Sequence, residues 1–113
     1  MDMCKEIVLC ASNAYSKKFY LNDHFKGLPE SIKEELQIMC VLYTEDVGGV
    51  LEMVFDEDGS LTFRTSYEEN DFFYDEIGSV LKIKQYQNAK RELLEALETY
   101  YRIVFLGEGF EEE

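Results

Sequence analysis

Tryptophan is absent from this chain, histidine and proline occur once each, and 11 basic residues face 24 acidic ones among 113. Each shortage excludes something. With His24 alone, no metal site or catalytic relay can rest on several imidazoles. Its neighbours Asp23 and Lys26 place it in a polar loop, where it reads as a solvated side chain. The formal net charge of −13 repels phosphate backbones and anionic lipid, which are bound through Lys and Arg. Nucleic-acid and membrane-surface partners are therefore not expected. A cationic partner is favoured by the same field.

Cysteine is also scarce. Cys4, Cys10 and Cys40 are odd in number, so they cannot all pair internally, and no CxxC spacing occurs for zinc or thiol exchange. Each sits in an apolar stretch and reads as a buried, reduced thiol. No apolar run approaches the roughly 20 residues of a spanning helix. Met1–Glu6 lacks a basic leader region, and Ile7–Ala11 is too short for a signal sequence. These features read as a cytoplasmic protein. The glycine-rich phosphate loops, the HExxH zinc motif and the GxSxG nucleophile turn are all missing. No cofactor, metal or catalytic residue is expected.

What is present is 46% hydrophobic residues, enough to build one globular domain over 1–113 despite the charge. The tail 106–113 is acidic and reads as frayed. Cys4, Ile7, Val8, Ala11, Tyr15 and Phe19 fall at helical spacing and predict a helix over 3–20. A strand pair, Ile7–Cys10 and Lys18–Leu21, is the competing reading. Pro29 suits the first position of a short helix over 29–37. The run Ile38–Thr44 is rich in strand formers and predicts a strand over 38–45, although Ile32, Leu36, Cys40 and Tyr43 would also share a helical face. Strict alternation in Val50–Phe55 and Leu61–Tyr67, around Asp56-Glu57-Asp58-Gly59, predicts a hairpin.

From Asp75 to Phe105 a single long helix is expected, entered through a cap at Asp71. Ile83, Tyr86, Lys90, Leu93, Leu97, Tyr100 and Val104 form a heptad seam with one lysine in it. A homodimer through this helix would follow if Leu94, Tyr101 and Phe105 widened the apolar stripe beyond what the sheet covers. The expected fold is α+β: a three-stranded antiparallel meander packed with helices, in the order α-α-β-β-β-α.

Acids tempt a metal reading at the hairpin. With Gly59 at the invariant sixth position of a calcium loop, Val54 and Thr65 occupy the first and twelfth, where carboxylates are required. The reading fails. Between Glu45 and Glu76 lie eleven acids and one base, Arg64. This stretch includes Asp71-Phe72-Phe73-Tyr74-Asp75-Glu76, three aromatics flanked by acids. The rings either staple the chain entry to the last helix or anchor a partner.

Two stretches, 28–50 and 74–108, carry a family likeness. Leu28-Pro29-Glu30-Ser31-Ile32-Lys33 leads into Thr44-Glu45-Asp46-Val47-Gly48-Gly49-Val50. Tyr74-Asp75-Glu76-Ile77-Gly78-Ser79 leads into Tyr100-Tyr101-Arg102-Ile103-Val104-Phe105-Leu106-Gly107-Glu108. Over most of its length the chain resembles a family of short acidic clostridial proteins of unknown function. That resemblance implies a bacterial protein and brings no site residues. In element order and charge the chain is also similar to small acidic immunity proteins that neutralise toxins, an analogy of form only.

Two classes of function remain. One is a non-catalytic interaction module, with Asp56, Glu57 and Asp58 leading a basic protein in and Phe72, Phe73 and Tyr74 anchoring it. The other is an enzyme or small-ligand binder with a pocket lined by Tyr, Asp and Glu, which a deep cavity of convergent polar groups would favour.

Overall fold

Ile7–Asn13 and Lys18–Leu21 are strands, β1 and β2, and not a helix over 3–20. A continuous apolar run satisfies helical and strand spacing alike, and here tertiary pairing decides. β1 is central, bonded to β2 on one side and to the next hairpin on the other, so its residues are covered widely. A bulge between Val8 and Cys10 lets Leu9 and Cys10, adjacent in sequence, both be fully buried. The carboxamide of Asn13 shapes the turn, accepting from the main-chain N–H of Tyr15 at 2.8 Å and of Ser16 at 3.1 Å. The structure, a computed structural model, describes residues 6–107. Cys4, the first positions of the expected 3–20 helix and the tail glutamates lie outside the described residues.

A 3-10 turn, Asp23–Phe25, buries Phe25 and leaves His24 exposed. Pro29 then caps α1, Glu30–Val47, which runs unbroken for 18 residues. The strand expected over 38–45 is thus helix. Local strand propensity in Ile38–Thr44 loses to the burial of Leu36, Met39, Cys40, Tyr43 and Val47 on one helical face. Ile38 and Leu42 are left on the outer side, 58% and 52% exposed.

The expected hairpin is present as β3, Val50–Phe55, and β4, Leu61–Ser66. Leu51, Met53 and Phe55 are buried, while Thr62, Arg64 and Ser66 face solvent. The sheet therefore has four antiparallel strands in the order β2-β1-β3-β4, where three were expected. The order of elements, with the 3-10 turn after the second strand left aside, is β-β-α-β-β-α-α and not the expected α-α-β-β-β-α. α+β holds as the class.

The single long helix is two. α2, Glu76–Ala89, and α3, Arg91–Val104, meet at Lys90, whose φ of −110° and ψ of 24° break the helix. This is the lysine of the heptad seam. Its ammonium leaves the helix axis to meet Glu35 of α1 at 2.7 Å. The cap of α2 is Asp75, which accepts from the Gly78 N–H at 2.9 Å, and not Asp71.

α1 packs on β1, β2 and β3, and α3 packs on β4. Tyr101 of α3 stacks on Phe55 at 4.3 Å, and Phe105 stacks on Phe25 at 4.9 Å. The rings that would have widened a dimer seam are thus engaged within the chain, with Leu94 also packed against the core. Val104 is the one seam position left more than half exposed.

Candidate functional site

Between β4 and α2 the chain crosses from Tyr67 to Asp75 in a loop tied down at many points. Tyr74 is its internal staple. Its ring lies 4.2 Å from Tyr67 in a parallel stack, and its hydroxyl sits 3.2 Å from that of Tyr43. The ring presses on Gly49, where a Cβ would come within 2.7 Å of Cε1 and within 2.5 Å of the Ser66 carbonyl. Gly49 also holds φ at 70°, so only glycine fits without strain.

The distal part of the loop is held from across the fold. Tyr15, in the β1–β2 turn, donates its hydroxyl to Asp71 at 2.6 Å and accepts the Glu68 N–H at 3.0 Å. Asp71 also accepts from the Phe73 N–H at 3.0 Å. Tyr67 donates to the Glu76 carboxylate, and the Asp75 N–H reaches the Val47 carbonyl at 3.3 Å. Lost hydration and the Asp71 carboxylate push the Tyr15 phenol above its usual range, and the Glu76 carboxylate does the same for Tyr67. Both remain protonated donors at neutral pH.

This well-held loop offers Phe72 and Phe73 to solvent, 89% and 96% exposed. Acids surround them in sequence: Glu68, Glu69, Asp71, Asp75 and Glu76. In the first turns of α2 that follow, Ile77, Val80 and Leu81 are also exposed, at 75%, 55% and 63%. Their spacing of three and four places them on one helical stripe. That stripe lies off the expected heptad seam, and sequence reasoning missed it. The available signal was that α2 is apolar on more than one side, a mark of a helix covered from both directions.

The hairpin tip is elsewhere. Phe55 leads into Asp56, whereas Val50 follows the Gly49 that Tyr74 covers. β3 therefore separates the two groups by about 17 Å at roughly 3.3 Å per residue. Asp56 and Asp58 are turned inward on their own turn. Asp56 accepts from the Asp58 and Ser60 N–H groups at 3.2 and 3.1 Å, and Asp58 also accepts from Ser60. Hydrogen bonds with Asp56 and Ser60 hold the Asp58 carboxyl below its ordinary value. Glu57 is exposed. Of the six expected partner residues, Phe72 and Phe73 are both exposed, Tyr74 is half-buried against Tyr67 and Gly49, and the acidic tip stands at the far end of β3.

Cys10 and Cys40 are wholly buried, their Sγ atoms 3.8 Å apart, and a hydrogen bond with Cys40 together with burial pushes the Cys10 thiol up. This is a poor setting for a thiolate nucleophile. Among the described residues, no three His, Cys, Asp or Glu side chains are placed to hold a metal ion. A cavity of about 530 Å³ lies between the β1–β2 hairpin and α1, with Lys17, Lys18, Asn13 and Gln37 in its lining; it contains one acid, Glu45, and no Tyr or Asp. Among the described residues, no helix is long and apolar enough to cross a membrane.

A family model described as a family of unknown function, DUF6145, matches residues 6–109. The chain belongs to the DUF6145 family. No curated protein and no solved structure matches it. The DUF6145 match takes in the whole β4–α2 loop, the α2 stripe and the cavity beside the first hairpin.

Proposed function

We propose that this member of DUF6145 is a non-catalytic interaction module of the bacterial cytoplasm that docks a basic protein partner through Phe72 and Phe73. One observation carries the reading. Two adjacent phenylalanines stand almost fully exposed on a loop that Tyr15, Tyr67, Tyr74 and Asp75 hold in place. Leaving such rings in water forgoes burial worth about 1.5–3 kcal/mol for each. A loop fixed in that arrangement is preorganised, so docking spends little on ordering it.

Charge supports the choice of partner. The acids of 68–76 flank the aromatic pair in sequence, and the chain as a whole is −13. A second copy would bring the same acids together, whereas a cationic surface is drawn in and then held by apolar contact. Neutralisation of a basic toxin is the sharpest form of this reading, by analogy of charge alone.

The test is affinity capture from native lysate at low and high salt, comparing the natural chain with the double variant Phe72→Ser, Phe73→Ser. Basic proteins retained by the natural chain and lost by the variant support the proposal. Identical captures, or captured proteins that are acidic, contradict it.

A further inference from the structure

The bulge in β1 decides which side chain stands opposite Met53. Val8 pairs with Val54, so an unbroken register would set Leu9 against Met53; the extra residue sets Cys10 there instead. Directly opposed residues of antiparallel strands share a face of the sheet. α1 brings Cys40 onto this pair, its Sγ 3.8 Å from that of Cys10 and 3.7 Å from the Met53 Sδ. All three side chains are wholly buried. The sulfur-bearing residues among the described ones are Cys10, Met39, Cys40 and Met53, and three of them thus meet, brought from β1, α1 and β3. A cysteine or methionine alone is ordinary core filling. Three converging sulfurs are also a ligand set.

Thiol and thioether sulfurs are soft ligands, suited to Cu(I), zinc or iron–sulfur clusters. Zinc asks for four ligands and the clusters for four cysteines, so two cysteines and one methionine favour Cu(I). Sulfurs held about 2.3 Å from one ion at the corners of a triangle stand about 4 Å apart. The two observed separations lie within a few tenths of an ångström of that. A monovalent ion that enters and displaces one thiol proton leaves the charge of the core unchanged, with one thiolate, one thiol and one thioether around it. Neutrality avoids the penalty of a buried net charge.

We propose that Cys10, Cys40 and Met53 form a buried Cu(I) site that ties β1 and β3 to α1. It shares no residue with the Phe72–Phe73 surface. Because the ligands come together only in the folded chain, the bound ion stabilises the fold.

For the test, the reduced chain is incubated with Cu(I) under argon, both as the native protein and during refolding from urea, and loosely held ion is removed with bicinchoninate. One copper per chain remains and the melting temperature rises, whereas zinc treated alike is not retained. X-ray absorption at the copper edge shows three sulfur neighbours at about 2.3 Å. Met53→Leu, which keeps the core volume, weakens Cu(I) at least about tenfold. Cys4→Ser, at the cysteine outside the described residues, holds copper as the natural chain does. The proposal is overturned if neither preparation retains copper, if Cys4→Ser abolishes retention, if the copper neighbours are nitrogen or oxygen, or if Met53→Leu binds as tightly as the natural chain.

Discussion

The hydroxyl of Tyr15 meets the carboxylate of Asp71 at 2.6 Å across 56 residues of chain. That contact ties the turn of the first hairpin to the loop that displays Phe72 and Phe73. Because Asp71 also accepts from the Phe73 N–H, the same carboxylate fixes the local course of the chain at the aromatic pair.

Removing the hydroxyl should loosen the display without dismantling the fold. Tyr15→Phe is expected to speed hydrogen exchange at the amides of Glu68 and Phe73, while amides of β3 and α1 keep their protection. Unchanged exchange at both loop amides would show that the contact does not order the loop.

The core makes a sharper demand. Leu97 is 2% exposed, and Leu97→Ala should cost about 2–5 kcal/mol in urea unfolding by leaving a cavity. Phe63 is only half-buried, beside Tyr86, so Phe63→Ala should cost less than Leu97→Ala. Equal losses, or a loss below about 0.5 kcal/mol at Leu97, would mean that α3 packs differently.

How much of this was legible depends on how local the deciding interaction is. The β3–β4 hairpin was, because Leu51, Met53 and Phe55 alternate strictly and Gly59 supplies the turn. The first hairpin was legible only as the competing strand pair Ile7–Cys10 and Lys18–Leu21, and α1 beyond residue 37 only as the alternative helical face of Ile32, Leu36, Cys40 and Tyr43. Ile7–Ala11 and Ile38–Thr44 are continuous apolar runs, which fit either period until a neighbour covers one face. The break at Lys90 had a visible signal, a lysine in an apolar seam. Its meaning depended on Glu35, 55 residues away. The aromatic cluster shows the limit most plainly. Phe72, Phe73 and Tyr74 are equivalent in sequence, and only Gly49, Tyr67 and Tyr43 determine that Tyr74 is the one held inside. The separation of the acidic tip from this cluster follows from the direction of β3, which no local pattern reveals.

Alkaline pH should unfold the protein through its phenols. Tyr15, Tyr43, Tyr86 and Tyr101 are pushed above the ordinary value of 10, burial first among the causes, and Tyr67 is pushed up mainly by Glu76. The folded chain holds these protons more tightly than the unfolded chain. Their contribution is therefore complete below about pH 10 and is lost as pH rises through the higher folded values. The urea midpoint should be level near pH 9 and fall above about pH 10.5, with phenolate absorbance rising late for the buried rings. A midpoint that holds to about pH 11.5 would contradict this.

The most direct test of the central claim is the dissociation rate of a captured basic partner from three chains: the natural protein, Phe72→Ser with Phe73→Ser, and a reversal of Asp56, Glu57 and Asp58 to lysine. If the aromatic pair is the anchor, the serine variant should release the partner at least about 30-fold faster, the scale of one interface hot spot. The tip reversal, at the far end of β3, should leave the dissociation rate within about threefold and chiefly slow association at low salt. A serine variant that dissociates like the natural chain, or a tip reversal that alone abolishes holding, would contradict the account.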